Sequence, residues 1–203
     1  MGRGDVLVID DRGFDALLGA LAARGFTLRG PVVRDGAIVP GPVANVDDLP
    51  RGWRDEQAPG DYRLSHGDDP RYFTWAVGPG SWKAEVFPPT QELWRARVEN
   101  GERVVLREPQ VRPAPVAVVG ARPCELVGLQ VLDRVLAGGS DPDPRYSEGR
   151  RSMFVVAVEC GAPAATCFCT SMGTGPAAGE GVDGAGFDLA LTELLDEGGH
   201  RFL

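Results

Sequence analysis

The hydrophobic pattern separates an irregular first half of the chain from a regular second half. Val6–Ile9 reads as a short strand, and Asp10 and Asp11 can cap a helix after it. Phe14, Leu17, Leu18, Leu21 and Ala22 then recur at helical spacing up to Gly25, a C-cap. Phe26–Val33 and Ala37–Val39, joined through Asp35–Gly36, predict a hairpin. Residues 40–60 carry Pro40, Pro42, Pro50 and Pro59 among several acids and read as a loop, with one turn at Val46–Leu49. Asp61–His66 and Tyr72–Val77 are both rich in β-formers, and the pair predicts a β-ribbon. Pro88 and Pro89 suit the start of a helix running to about Glu99 and stopping at Asn100–Gly101, before a strand at Arg103–Leu106.

The second half has uniform apolar runs. Val116–Val119 and Met153–Val158 have the pattern of strands buried on both faces. Between them, Leu126, Leu129, Val131, Leu132, Val135 and Leu136 predict an amphipathic helix ending at Gly138–Gly139. A polar turn over Asp141–Ser147 leads into a single helical turn. Strand–helix–strand implies parallel strands and a right-handed crossover. Gly181–Gly186 reads as a flexible loop. Phe187–Leu195 fits a strand by alternation and a helix by length. Glu197–Gly199 then reads as a hairpin turn before His200–Leu203. The expected class is α/β: a mixed sheet with a parallel strand–helix–strand core and a β-rich N-terminal part. One domain over 1–203 is expected, with 1–60 as an N-terminal subregion. Because the chain stops inside its last strand, a domain cut short at the C-terminus is expected.

Composition narrows the partners. A net charge of −8 argues against nucleic acid or an anionic membrane, both of which need a basic face. No apolar run approaches the ~20 residues of a membrane span. The N-terminus has too short an apolar stretch, and acids too early, for a signal peptide. A cytoplasmic protein is expected. Thiols stay reduced there, so the four cysteines suggest metal or redox chemistry rather than disulfides.

Those cysteines are the candidate site. Cys160, Cys167 and Cys169 fall within ten residues, bounded by Gly and Pro, and Cys124 follows a strand and opens a helix. In parallel α/β units ligands sit beyond the carboxyl ends of the strands. Cys124 lies just past Val116–Val119 and Cys160 just past Met153–Val158. Their strand ends would be roughly 5–10 Å apart, given a strand spacing of ~4.8 Å. Six residues between Cys160 and Cys167 let the loop fold back over the same edge. A helix N-terminus also favours thiolate at Cys124.

The spacing is neither a ferredoxin run nor a zinc knuckle. Four thiolates suit tetrahedral zinc or an iron–sulfur cluster, and unligated core cysteines are the bland alternative. Arg122, two residues before Cys124, either offsets negative charge at such a centre or pairs with an acid. Lys83, the only lysine among 21 basic residues, either is a solvated position or faces the centre or a partner. The arginine bias itself is ascribed to coding. Trp75, Trp82 and Trp94 are assigned to core or interface. His66 and His200 make no catalytic pair, and Gly173–Gly186 lacks nucleotide-loop spacing.

Three motifs carry a family resemblance. Gly120-Ala-Arg-Pro-Cys124-Glu-Leu is the first, and Cys160-x6-Cys167-Phe-Cys169-Thr-Ser-Met-Gly-Thr-Gly-Pro176 is the second. The third is Phe187-Asp-Leu-Ala-Leu-Thr-Glu-Leu194. Together with the Lys83…Pro88…Glu92 segment, they resemble the N-terminal part of a 4Fe–4S dicluster family. That family includes the beta subunits of cytosolic nickel–iron (sulf)hydrogenases and the corresponding iron–sulfur component of anaerobic sulfite reductase. The resemblance spans about residues 61–195. It implies a [4Fe–4S] cluster rather than zinc, held by Cys124, Cys160, Cys167 and Cys169. It also implies electron transfer between a flavin- or NAD(P)-binding reductase subunit and a catalytic subunit. The family continues into a ferredoxin-like segment with further cysteine runs; this chain carries none.

Overall fold

A computed structural model describes residues 6–100, 103–107, 114–179 and 186–203. The five-stranded sheet grows from the two apolar runs. Helix α1 (Asp11–Ala23) is capped by the Asp10 carboxylate, which accepts the Gly13 N–H at 2.9 Å. It buries Phe14, Leu18 and Leu21. Strands β1 (Thr27–Arg34) and β2 (Ala37–Pro42) form the expected hairpin, turned at Asp35 (φ 52) and Gly36 (φ 75). β1 then pairs in parallel with β7 (Val116–Ala121), β7 with β8 (Met153–Val158), and β8 with β9 (Leu189–Leu191), giving the order β2-β1-β7-β8-β9. The mixed sheet with a parallel core is as expected.

Alternation along β7 and β8 fills two cores. Ala117, Val119, Val156 and Val158 face α1, Tyr72, Phe73 and Phe202. Val118, Ala121, Val155 and Ala157 face Trp82, Val86, Leu126, Leu129 and Tyr146. These last five belong to α2 (Lys83–Val86) and its N-cap, α3 (Pro123–Leu132) and α4 (Pro144–Arg151). α3 runs on as a π turn over Asp133–Ala137. α4 has eight residues rather than the single turn expected, because Asp143 caps it and Tyr146 is buried beneath it. Both edges of the sheet are blunt. β2 contains Pro40 and Pro42, and β9 has three residues.

Three expectations in the first half are corrected. Asp61–His66 is strand β4, but it pairs with β3 (Trp53–Ala58) inside the supposed loop, not with Tyr72–Val77. Residues 72–77 are irregular, because the Glu193 carboxylate takes the Tyr72 and Phe73 N–H groups (2.6 and 2.9 Å) and Asp55 takes that of Ala76 (2.8 Å). The helix expected up to Glu99 is instead strand β5 (Arg95–Glu99), paired with β6 (Arg103–Arg107). Val6–Ile9 makes only one bridge, Ile9 to Phe202. At the C-terminus, Phe187–Leu195 resolves into β9 and β10 (Glu193–Asp196), and β10 forms a hairpin with β11 (Gly199–Phe202). The loop expected at Gly181–Gly186 lies, Gly186 apart, outside the described residues.

Candidate metal centre

The carboxyl ends of β7 and β8 set the site. β7 ends in a bulge at Gly120 (φ 89), so that Ala121 rather than Gly120 faces Ala157. A side chain on Gly120 would meet the Phe73 ring at 2.9 Å. The bulge hands the chain to Arg122, and Pro123 opens α3 with Cys124 in its first turn. β8 delivers Glu159 and Cys160. The loop then returns through Cys167 to a 3-10 turn over Cys169–Met172. The Cys160 N–H donates to the Pro176 carbonyl at 3.1 Å, closing that loop.

All four cysteines line one cavity of about 410 Å³, together with Pro123, Val131, Phe168 and Met172. None is in a disulfide; Cys124 and Cys167 are exposed, and Cys160 and Cys169 are partly so. The Ala164 N–H points at Cys167 Sγ, 3.3 Å away. Gly175 packs so closely that a Cβ there would stand 3.3 Å from Cys169 Sγ and 3.4 Å from the Pro123 Cβ. Among the described residues, no group of three or more His, Cys, Asp or Glu side chains is arranged to hold a metal ion.

Lost hydration at the cavity wall pushes the Cys124 thiol up to about 11, with smaller contributions from Glu125, Cys169, Cys160 and Cys167. A bound cation reverses this logic, since coordination deprotonates a thiol outright.

Arg122 is completely buried behind this cavity. Its Nη1 donates to the Glu159 carbonyl at 2.8 Å, and its Nη2 to those of Phe73 (2.8 Å) and Trp75 (3.0 Å). The guanidinium lies 4.7 Å from the centroid of the Trp75 ring and 5.6 Å from that of Phe73. Of its two expected roles, pairing with an acid is not what is observed. Burial works against its charge; Cys160, then Glu125, Glu193 and Cys124, work for it.

Glu125, missed in the sequence, accepts the Arg122 backbone N–H at 3.0 Å and the Trp82 Nε1–H at 3.1 Å. Burial pushes its carboxyl up to about 7. Its position three residues after the N-cap was the available signal. Lys83 is exposed, with Nζ 5.3 Å from the centroid of the Phe87 ring. It lines a second cavity that meets the first at Cys124. Trp75 and Trp82 are buried as expected, but Trp94 is 61% exposed.

A further cavity of about 430 Å³ lies on the other side of Cys160, lined by Arg54, Arg71, Glu159 and Glu193. Both arginines are already engaged by Asp69. His200, given no role from the sequence, stands between Glu193 (2.9 Å) and Asp11 (2.8 Å) and ties α1 to the C-terminal hairpin. No helix among the described residues is long and apolar enough to cross a membrane.

No protein-family model matches this chain, and no solved structure does. A stretch of 77 residues, 38% of the chain, is 39% identical to part of the sulfhydrogenase 2 subunit beta of Pyrococcus furiosus. The match spans 21% of that protein's length, so the chain is similar to about a fifth of a sulfhydrogenase beta subunit.

Proposed function

We propose that the chain is an electron-transfer subunit of a multisubunit oxidoreductase of the hydrogenase or sulfur/sulfite reductase type. In this reading Cys124, Cys160, Cys167 and Cys169 hold one [4Fe–4S] cluster, which when bound supplies one-electron relay. The observation that carries it is that four cysteines from two separate segments line one cavity. Four thiolates are the donor set of such a cluster. A four-iron cube seats each thiolate on a different metal atom, so its ligands stand further apart than those of one tetrahedral zinc. The Ala164 N–H directed at Cys167 is the kind of donor that tunes such centres.

The protein's own groups bind and line the centre. Pro123, Val131, Phe168 and Met172 give the cavity an apolar lining, and Gly175 leaves room beside Cys169. Lys83, exposed beside Cys124, is a contact for a partner. The partners are a flavin- or NAD(P)-binding reductase subunit on the donor side and a catalytic subunit on the other, in a cytoplasmic complex. The partial likeness to a sulfhydrogenase beta subunit supports this assignment.

The test is protein made and kept without oxygen, with iron, sulfide and zinc counted on the sample used for absorption and EPR spectra. Broad absorption near ~400 nm that bleaches on reduction, with about four irons and four sulfides per chain, is expected. Cys167→Ala is expected to abolish that loading. A colourless protein with one zinc per chain would replace this reading by a structural zinc module. Full iron content in the Cys167→Ala protein would overturn the ligand set.

A further inference from the structure

A guanidinium does not give up its proton inside a protein, so the completely buried Arg122 carries a fixed positive charge. Its donors meet three backbone carbonyls and its faces meet two aromatic rings. Among the described residues no carboxylate is within ion-pair distance of it. Its Nε is buried and has no acceptor. Carbonyls and rings soften the loss of water, but they carry no net charge. A buried ion without a counter-ion is costly. Among the described residues the cation therefore has no carboxylate in direct contact; Glu125 and Glu193 act on it only from a distance.

The position of Arg122 names its counter-ion. It lies two residues before Cys124, and it bonds the carbonyl of Glu159, the residue before Cys160. It thus stands between the backbone segments that carry two of the four cysteines. Glu125 and Glu193 bond the surrounding backbone rather than the guanidinium: Glu125 takes the Arg122 N–H, and Glu193 takes those of Tyr72 and Phe73.

We infer that Arg122 is the built-in counter-charge of the thiolate centre and sets its reduction potential. The inference rests on the iron–sulfur reading above. Reduction adds one electron to the centre, moves no proton in this scheme, and makes the site one unit more negative. A fixed cation between those segments stabilises that reduced state more than the oxidised one. The potential is therefore higher with Arg122 than without it.

The experiment is an anaerobic redox titration of the loaded protein with dithionite, followed by EPR, on wild type, Arg122→Met and Arg122→Lys. Arg122→Met keeps the length of the side chain and removes its charge. It is expected to load iron as wild type does and to titrate at a more negative midpoint. Arg122→Lys is expected to stay near the wild-type midpoint. A loaded Met variant with the wild-type midpoint overturns the inference. If the Met variant does not fold, Arg122→Gln, which retains an N–H donor for the carbonyls, makes the same comparison. If neither neutral variant folds, the charge is required by the fold rather than by the centre, and the inference falls. If the Lys variant also fails to fold, Arg122 is architectural and the inference falls. A wild type that takes up no iron defeats the earlier reading itself, a result distinct from a loaded variant with an unmoved midpoint.

Discussion

The β3–β4 and β5–β6 hairpins are built alike and end differently. Each is a two-stranded antiparallel ribbon rich in charged residues. β3–β4 is fastened to the body. The Trp53 carbonyl accepts the Thr74 hydroxyl (3.0 Å), and Tyr62 Oη accepts the Ile38 N–H (3.2 Å). Asp55 holds Ala76, while Trp53 and Leu64 pack against the main core. β5–β6 leaves Val98, Val104 and Leu106 at least 60% exposed. By strand alternation those residues share one face with Ala96, and Trp94 continues it. On the opposite face Arg95 lies directly across from Arg107, a like-charge pair that costs stability. Ladder hydrogen bonds define a ribbon locally, and an isolated ribbon is marginal in water. A handful of polar contacts to distant residues makes β3–β4 a wall of the cysteine-lined cavity, with Gln57 and the Ala76–Val77 segment it holds lining that space.

The largest effect on this contrast should come from Asp69. Its carboxylate takes the Arg71 N–H and guanidinium and binds Arg54 of β3. The Arg71 hydrogen bond, foremost, holds its carboxyl well below the usual carboxylate range. A depressed folded-state value stabilises the fold above the ordinary carboxylate pKa, and that stability is lost as pH falls below about 4. Asp69→Asn should cost about 1–3 kcal/mol in urea unfolding at pH 7, most of it from the Arg71 side because Arg54 is solvent-exposed. The gap from wild type should narrow as pH drops toward 3, and a constant gap would remove Asp69 as the charged clasp.

Tyr62→Phe removes one hydrogen bond between the hairpin and β2. A loss of about 1 kcal/mol is expected by the same assay, with amide exchange at Ile38 quickened. An unchanged exchange rate would mean that the hairpin is held without it. The smallest effect belongs to β5–β6. Val104→Ser with Leu106→Ser should alter the stability of the isolated chain by no more than about 0.5 kcal/mol. A loss above 2 kcal/mol would show that this arm packs on the body and would erase the distinction.

The two hairpins also mark where sequence reasoning stops. Val116–Val119 and Met153–Val158 were legible because burial on both faces leaves an unbroken apolar run. Knowing that these strands are parallel was enough to bring Cys124 and Cys160 to one edge. Trp53–Ala58 was hidden because polar side chains occupy both of its faces. Tyr72–Val77 looked like a strand, but Glu193, about 120 residues away, captures its N–H groups. At β5, the prolines at 88 and 89 suggested a helix, although Trp94, Ala96 and Val98 alternate with period two and Asn100–Gly101 is a hairpin-turn pair. The burial of Arg122 was equally hidden, since its carbonyl partners come from segments 37 to 49 residues away.

The blunt edges of the central sheet decide how a larger assembly can grow. Prolines in β2 remove donors from one margin, and three-residue β9 offers almost no ladder at the other. A neighbouring polypeptide therefore cannot extend this sheet by adding a strand. A neighbour that packs against this sheet is recognised through side chains, by shape and charge, so its identity is written in surface residues rather than in backbone geometry. Such an association can be retuned one substitution at a time without disturbing the sheet beneath it.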